Sequence, residues 1–382
     1  MTTTAAIVGA AQSPYTRHPP VEVTTESVLV DAVLRALDDA GLHRDEVDGL
    51  AVASFTLRPD HAVDLAWQLG MPLRWIMEDT NGGASGVNML QHAARAVEAG
   101  DASTVVAVAG DHMTRAAFAQ LVAEYNRATR DHVTPLPSSG PNPMFAFLTQ
   151  RHMARYGLER VDYGRLAVAQ RRWAGLNPAA VYRTPLTLQD YLDAPPVAPP
   201  LHRYDCVPPV TGADAIVITT TDRMPHQPAA RVLATGGHIN PDNQEGDGLT
   251  TGLATAAPGV WDQAGVGPQD IDLACLYDDY PAMVLIQLTE LGLVPDGDLR
   301  GFLLREIEQR GWPLNTSGGQ LSAGQAGAAG GMHGLVEAAT QLRGRAGERQ
   351  VAARLAAVSG YGMVLYRYGA CANLTVLEAS PS

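Results

Sequence analysis

The chain has 382 residues, 46% of them hydrophobic and 18% charged, which predicts a large buried core spread over two or three layers or domains. Forty acidic residues against 27 basic ones give a formal net charge of −13, which argues against a nucleic-acid partner. All 27 basic residues are arginines. Functions that need a lysine amine, such as Schiff-base aldolases, pyridoxal phosphate enzymes and P-loop nucleotide sites, are therefore excluded.

The cysteines and the N-terminal segment indicate a cellular compartment. Cys206, Cys275 and Cys371 are too few and too scattered for a disulfide framework or a cysteine zinc site. Residues 1–11 contain no basic segment, and no stretch reaches the roughly 18 apolar residues of a membrane span. We therefore expect a soluble cytoplasmic protein without a metal site.

Short β-branched runs alternate with helical patterns in the first part of the chain, which predicts an α/β fold with a largely parallel sheet covered on both faces. The predicted strands are Ala5–Val8, Gly49–Ala53, Trp75–Glu78, Thr104–Ala109 and Ala215–Thr219. Helices are predicted over Thr24–Ala40 and Ser85–Ala99, each followed by glycine. The first of these helices has Val30, Val33, Leu34 and Leu37 on its predicted inner face.

Between roughly residues 112 and 212 the strand pattern stops and helical segments take its place. They are Phe118–Arg127, Met144–Tyr156 and Arg165–Ala174, followed by the proline-rich loop Ala194–Pro200. An insertion at this position usually covers a site at the carboxyl ends of the strands. We predict an N-terminal half formed by residues 1–112 and 213–229, a loop domain at 113–212, and a C-terminal half at 230–382.

The C-terminal half repeats the pattern of the N-terminal half. Its predicted strands are Arg231–Ala234, Leu273–Tyr277, Leu355–Ser359 and Asn373–Leu377, with a helix over Ala328–Arg343. In the second of these strands, Leu273, Cys275 and Tyr277 are expected to share one face. That register places the hydroxyl of Tyr277 at the carboxyl edge of the sheet, where α/β sites lie.

Two glycine-rich segments, residues 79–86 and 315–330, occupy corresponding positions in the two halves. Together with Tyr277-Asp278-Asp279-Tyr280 and the segment 359–363, they make the chain resemble the thiolase superfamily, in its lipid-transfer (sterol-carrier-protein) branch. The resemblance implies a duplicated, five-layered thiolase fold of two βαβαβ-type halves with an inserted helical loop domain.

The residues that perform thiolase chemistry are changed in this chain. On this resemblance, the nucleophilic cysteine of Cys-Ala-Ser-Gly falls on Gly83, the histidine of Gly-His-Pro on Gln325, and the asparagine of Asn-Glu-Ala-Phe on Tyr277. The segment 359–362, where the second cysteine is normally found, contains no thiol. We therefore expect no acyl-enzyme.

The same losses are typical of the thiolase-like aldolases of steroid side-chain degradation, which this chain resembles in Gly324–Gly327 and Gly360–Cys371. The resemblance implies that Tyr277 and Tyr366 act as acid and base. In this chain Arg367 and Tyr368 replace the family's aspartate and arginine after the second tyrosine.

A retro-aldol cleavage needs a base for the β-hydroxyl proton, a site for the enolate and an acid to protonate it. Gly83 is expected to leave room where a cysteine once stood, and Gln325 to orient the reacting groups, with Asp278 and Tyr361 nearby. A tyrosine phenolate at pH 7 costs about 4 kcal/mol unless it is stabilised. Arg367 is a candidate to stabilise it, and the two aspartates that follow Tyr277 would oppose it.

The function predicted is cleavage of a β-hydroxyacyl-CoA to a ketone or aldehyde and a shorter acyl-CoA, with no cofactor beyond the coenzyme A of the substrate. The resemblance also implies a homodimer and a small zinc-ribbon/OB-fold (DUF35-type) partner in a heterotetramer. Arg171 and Arg172 are candidates for the CoA phosphates on charge alone. A catalytically silent acyl-CoA-binding scaffold and a cysteine-independent biosynthetic condensing enzyme stay open as alternatives.

Overall fold

The computed structural model describes residues 4–58, 61–136, 140–224, 226–365 and 367–380. The strands are β1 (Ala5–Gln12), β2 (Gly49–Ala53), β3 (Trp75–Glu78), β4 (Thr104–Asp111), β5 (Pro196–Ala198), β6 (Leu201–His202), β7 (Gly212–Thr220), β8 (Ala230–Ile239), β9 (Leu273–Cys275), β10 (Leu355–Val364) and β11 (Gly369–Ala379).

The α-helices are α1 (Thr25–Ala40), α2 (Ala62–Leu69), α3 (Ser85–Ala99), α4 (Arg115–Glu124), α5 (Pro141–Tyr156), α6 (Arg160–Leu176), α7 (Leu188–Leu192), α8 (Gly252–Ala264), α9 (Pro281–Glu290), α10 (Leu299–Phe302), α11 (Gly319–Ala323) and α12 (Gly330–Leu342). Two π-helical stretches, Thr129–Val133 and Leu303–Arg310, and several short 3₁₀ turns complete the helical structure. None of the described helices is long and apolar enough to cross a membrane.

Nine strands form one sheet in the order β3-β2-β4-β7-β1-β8-β11-β10-β9. The two halves join where β1 pairs with β8. Only β2–β3, β2–β4 and β9–β10 are parallel, and the other five neighbouring pairs are antiparallel. The expectation of a largely parallel sheet is therefore wrong. Antiparallel β7 buries all nine of its residues, so burial on both faces does not reveal strand direction.

Helix α1 shows how local sequence sets an element and how tertiary packing selects its face. The Thr24 hydroxyl accepts from the backbone N–H of Ser27 at the start, and Gly41 ends the helix at a φ of 65°. The buried residues are Thr25, Val28, Leu29, Ala32, Val33, Ala36, Leu37 and Ala40. Leu34, predicted to face inward, is 45% exposed. Val33 and Leu37 are buried as predicted and Val30 is half-buried, whereas alanines rather than Leu34 complete the buried face.

The helices divide the core into layers. Helices α1 and α2 pack on the outer face of β1, β2, β4 and β7. Helices α3 and α12 lie together in the middle, against strands of both halves. Helices α5, α6, α8 and α9 cover the remaining face of β8–β11. The result is the five-layered α/β arrangement expected for a thiolase fold.

The two middle helices touch through glycine. A β-carbon at Gly86 in α3 would lie 2.0 Å from the carbonyl oxygen of Gly331 in α12, so no larger residue fits there. This backbone contact brings the two glycine-rich segments side by side.

The inserted region contributes α4–α7 and the small β5–β6 ribbon. Helix α6 packs against α7, α11 and the second π-helical stretch. Helix α4 is different because none of its residues is buried.

Candidate active site

A cavity of about 360 Å³ lies between the glycine-rich segments and the inserted helices. Its walls are mainly apolar, with Phe118, Leu121, Val122, Met144, Phe145 and Val364 among them. The side chains that bring polar atoms to the cavity are Tyr125, Thr129, Asn142, Cys206, Tyr277, Asp279, Tyr280, Gln325 and Tyr361. The described lining contains no arginine or histidine. Most of the surface is therefore suited to an apolar group, with acid–base chemistry confined to a few residues.

Tyr277 reaches this cavity by a path that differs from the expected one. Strand β9 ends at Cys275, and the Asn315 side chain then bonds both the backbone N–H (2.7 Å) and the carbonyl (3.0 Å) of Leu276. Tyr277 packs in the cluster that contains Leu276, whereas Leu273 and Cys275 belong to the middle-layer cluster. The prediction that Leu273, Cys275 and Tyr277 share one face is therefore wrong. At Leu276 the backbone bonds to the side-chain amide of Asn315 in place of the backbone of a neighbouring strand.

Gly83 is directly coupled to Tyr277. A β-carbon at Gly83 would lie 2.3 Å from Cε2 of Tyr277 and 2.2 Å from the carbonyl oxygen of Tyr361. Gly83 lines the cavity, but the expectation that it leaves free room for substrate is wrong, because the Tyr277 ring already fills that room. The ring of Tyr277 thus occupies the space that a side chain at position 83 would need.

Gln325 holds the phenol of Tyr277. Its Nε2 donates to the Tyr277 hydroxyl oxygen at 3.3 Å and to Oε1 of Gln320 at 3.1 Å. Its backbone is fixed as well, since the N–H donates to the carbonyl of Pro208 and the carbonyl accepts from Val210. Because the Tyr277 oxygen accepts from Gln325, its own proton stays available for donation to a ligand.

Tyr277 is neutral at rest. Burial raises the pKa of Tyr277 well above its usual value, and the negative charges of Asp279 and Asp278 raise it further, against a small opposing effect of the Gln325 hydrogen bond. Arg367 does not offset this, because it donates to the carbonyl of Gln244 and lies over the ring of Tyr368. The expectation that Arg367 stabilises a Tyr277 phenolate therefore finds no support in this geometry.

Asp278 faces away from the cavity. Its carboxylate accepts from Nε2 of Gln170 at 2.5 Å and from the backbone N–H of Gln320 at 2.9 Å, which anchors the start of α11. Burial raises the pKa of Asp278 to about 6, although these hydrogen bonds act in the opposite direction. Asp278 supports the glycine-rich segment and does not line the cavity.

Tyr361 lines the cavity beside Tyr277, with the two ring centroids 6.4 Å apart. Its hydroxyl oxygen accepts from the backbone N–H of Gly369 at 2.5 Å, which ties β10 to β11. Burial raises the pKa of Tyr361, so this phenol is also neutral. The second expected catalytic tyrosine, Tyr366, lies outside the described residues.

The two arginines expected to bind CoA phosphates are not at the cavity. Arg171 is buried, donates to the Ser322 hydroxyl at 2.9 Å, and lies over the rings of Tyr182 and Tyr204. Arg172 is exposed and donates to the carbonyl of Glu308. Arg171 is therefore committed to contacts inside the protein, because its buried guanidinium donates to Ser322 and packs on two aromatic rings.

The cavity also contains polar residues that sequence reasoning did not assign to the site: Tyr125, Thr129, Asn142, Cys206, Asp279 and Tyr280. Asp279 follows a predicted site residue, so its position in Tyr277-Asp278-Asp279-Tyr280 was a usable signal. Tyr125 and Cys206 come from the inserted region, and no local pattern marks them. Burial raises the pKa of Cys206 to about 12, so its thiol stays protonated and is not a thiolate nucleophile.

Residues 238–371 match the family model described as thiolase C-terminal domain-like. The chain is 32% identical over 361 residues to the 17-hydroxy-3-oxo-4-pregnene-20-carboxyl-CoA lyase of Mycobacterium tuberculosis, covering 89% of this chain and 92% of the relative. It is also 32% identical over 337 residues to the steroid side-chain-cleaving aldolase of Thermomonospora curvata, covering 82% and 84%.

The chain belongs to the thiolase superfamily, among the steroid side-chain-cleaving aldolases. A solved structure of the Ltp2-ChsH2(DUF35) aldolase superposes with a TM-score of 0.84 at 26% identity, over 99% of this chain and 98% of that one. This thiolase-fold chain is therefore an enzyme of the aldolase, or carbon–carbon lyase, class.

Proposed function

We propose that this aldolase cleaves the Cα–Cβ bond of a β-hydroxyacyl-CoA, giving a ketone or aldehyde and a shorter acyl-CoA without a covalent intermediate. The observation that carries the proposal is the exchange at Gly83, where the ring of Tyr277 fills the space a nucleophile's side chain would need. Cys206, the one thiol among the described cavity residues, is protonated at neutral pH. Acid–base chemistry remains as the means of cleavage.

Tyr277 is the proton donor in this proposal. Its phenol is neutral, its oxygen is held by Gln325, and its proton is free to reach the enolate carbon. Tyr366 remains the second tyrosine, on the strength of the family resemblance. A proton donor of this kind typically contributes about 10²–10⁴-fold to the rate.

The apolar lining favours a bulky hydrocarbon acyl group. Phe118, Leu121 and Val122 of α4 project into the cavity and are only partly buried. An apolar ligand would cover them and so release the free energy of burying apolar surface. The two 32%-identical relatives are named for steroid substrates, and a steroid-like acyl chain fits the same reasoning.

The assembly is part of the proposal. Strand β3 is an open sheet edge in which Ile76 is 41% exposed, and Val63 and Trp67 of the neighbouring α2 are 69% and 78% exposed. Such an apolar edge favours a homodimer formed around β3 and α2.

The similarity to the Ltp2-ChsH2(DUF35) aldolase supports a small DUF35-type partner that helps hold the CoA thioester. The free cysteines fit a reducing cytoplasm.

The test is product analysis. The chain, alone and with a co-expressed DUF35-type protein, is incubated with β-hydroxyacyl-CoAs of increasing bulk, and the products are followed by mass spectrometry. We expect a short acyl-CoA and an equimolar carbonyl product. Binding of every thioester without turnover would support a silent scaffold, and net formation of the longer thioester would support a condensing enzyme.

A further inference from the structure

Asp279 is a cavity acid whose carboxylate is only partly satisfied: the backbone N–H groups of Asp279 and Tyr280 stabilise it, but one oxygen has no partner in the described part of the chain. Its Oδ1 is buried and receives no hydrogen bond from the described residues. The neighbouring Asp278 accepts from Gln170 and Gln320, and the fully buried Asp111 accepts from Ser54, Thr56 and Ala328. A buried carboxylate oxygen without a donor is costly, so its position at the cavity points to a ligand that supplies the missing donor.

The groups that face Asp279 do not supply a positive charge. They are Tyr277, Asp278 and Tyr280 on its own segment, Tyr125 just beyond α4, Cys206 just beyond β6, and Tyr361 in β10. The hydroxyl of Tyr280 is already used, because it donates to Oδ1 of Asn142 at 2.7 Å. Asp279 and Tyr277 therefore share an apolar cavity in which a substrate hydroxyl is the missing hydrogen-bond donor.

We propose that Asp279 is a catalytic residue of the cleavage, the carboxylate that takes the proton of the substrate's β-hydroxyl group; this inference rests on the proposed function. It deepens that function by giving the first proton transfer to a carboxylate base, where the family resemblance assigns it to a second tyrosine, Tyr366, and by keeping Tyr277 as the phenol acid. A carboxylate held in apolar surroundings is a stronger base than one in water, because burial disfavours its charged form.

The protons and electron pairs of the proposed reaction balance without a cofactor. Asp279 takes the hydroxyl proton as the β-carbon forms its carbonyl double bond, and the Cα–Cβ bond breaks with its electron pair moving into the thioester enolate. The O–H bond of Tyr277 then breaks as a C–H bond forms at Cα. Transfer of the proton from the Asp279 carboxylic acid to the Tyr277 phenolate restores the resting enzyme.

The two transfers assist each other electrostatically. The negative charge of Asp279 is one of the causes that raise the pKa of Tyr277. Once Asp279 has taken the hydroxyl proton, that charge is gone and Tyr277 releases its proton more readily. Protonation of Asp279 thus lowers the pKa of Tyr277 at the step in which the enolate forms and needs a proton.

The test compares the pH profile of kcat/KM for cleavage in the wild type, Asp279→Asn, Tyr366→Phe and Glu290→Gln. Burial and Asp278 raise the pKa of Asp279 well above its usual value, so the wild-type rate should rise with pH through that raised pKa. Asp279→Asn should reduce kcat/KM by about 10²–10⁴-fold and should abolish the rise with pH, which is the rising limb of the profile. Glu290 is the matched control: burial raises its pKa to about 7, but it bonds Thr251 outside the cavity.

Each outcome decides the assignment. Retention of the rising limb by Glu290→Gln, with its loss in Asp279→Asn, supports it. Cleavage by Asp279→Asn within tenfold of the wild-type rate, or loss of the limb only in Tyr366→Phe, overturns the role of Asp279 and leaves the lyase function intact. A folded wild type that cleaves no thioester overturns both. Circular dichroism of each variant separates loss of chemistry from loss of fold.

Discussion

At the residue scale, one exchange defines the site. A glycine at position 83 and a tyrosine at position 277 are a fitted pair, because the ring occupies the place of the missing β-carbon. Considered alone, either residue would suggest a neutral sequence change or, for the glycine, a larger cavity. Together they form one packed unit, in which the phenol of Tyr277 is held by Gln325 and kept neutral by burial.

Gly83→Ala should therefore destabilise the protein. Its β-carbon would meet the Tyr277 ring and the Tyr361 carbonyl, and overpacking of this kind costs about 1–3 kcal/mol. Urea unfolding measures the change. Gly259→Ala is the control, since no atom lies within 4 Å of its β-carbon position in α8, and there alanine should stabilise by about 0.5–1 kcal/mol. Equal stability of the two variants would contradict the fitted pair.

Asp279→Asn should raise the melting temperature while it removes activity. A carboxyl whose pKa is raised on folding contributes stability at low pH that is lost as the pH rises through the folded-state pKa. The stabilising effect of Asp279→Asn should thus be larger at pH 8 than at pH 5. Differential scanning fluorimetry at the two pH values measures the melting temperatures. A gain in melting temperature that is larger at pH 5 would show that the pKa of this carboxyl is not raised on folding.

At the element scale, the strands and the main helices were predictable because their apolar periods and glycine ends are local signals. The direction of the strands was not predictable, since antiparallel β7 is as buried as a parallel strand. The early end of β9 was missed because it depends on Asn315, 39 residues away from Leu276. In the site, the resemblance predicted Tyr277, Gln325 and Tyr361, which line the cavity, whereas Tyr125 and Cys206 are brought there only by tertiary packing of the inserted region.

Helix α4 should become protected when a ligand binds. It buries none of its residues, and Phe118, Leu121 and Val122 line the cavity. Hydrogen exchange of the Tyr277→Phe variant with a bound β-hydroxyacyl-CoA should slow across α4 and leave α1, whose inner face is already buried, unchanged. An unchanged α4 with saturating ligand would place the acyl group elsewhere.

At the scale of the whole molecule, the two halves share one sheet and leave β3 as an open edge. The site lies between the glycine-rich segments and the inserted helices. None of the described residues of β3 or α2 lines the cavity, so a contact through β3 and α2 would not use the lining residues of α4 and α5.

If the proposed homodimer forms around β3 and α2, Trp67→Asp should convert it to a monomer. Trp67 is 78% exposed beside β3, and a carboxylate at this point would have to be buried without a partner in the interface. Light scattering coupled to size-exclusion chromatography gives the mass. Leu34→Asp, at a 45% exposed position on α1, should leave the mass unchanged. A wild type that is monomeric at micromolar concentration would contradict the proposed assembly.

The most direct test of cleavage without a thiol sets Tyr277→Phe beside Cys206→Ala in the same product assay. Both residues line the cavity, one as the proposed acid and the other as its described thiol. We expect Cys206→Ala to release acyl-CoA and carbonyl product at a rate close to that of the wild type, and Tyr277→Phe to fall by about 10²–10⁴-fold. Loss of cleavage in Cys206→Ala with retention in Tyr277→Phe would contradict the account and return the enzyme to thiol chemistry.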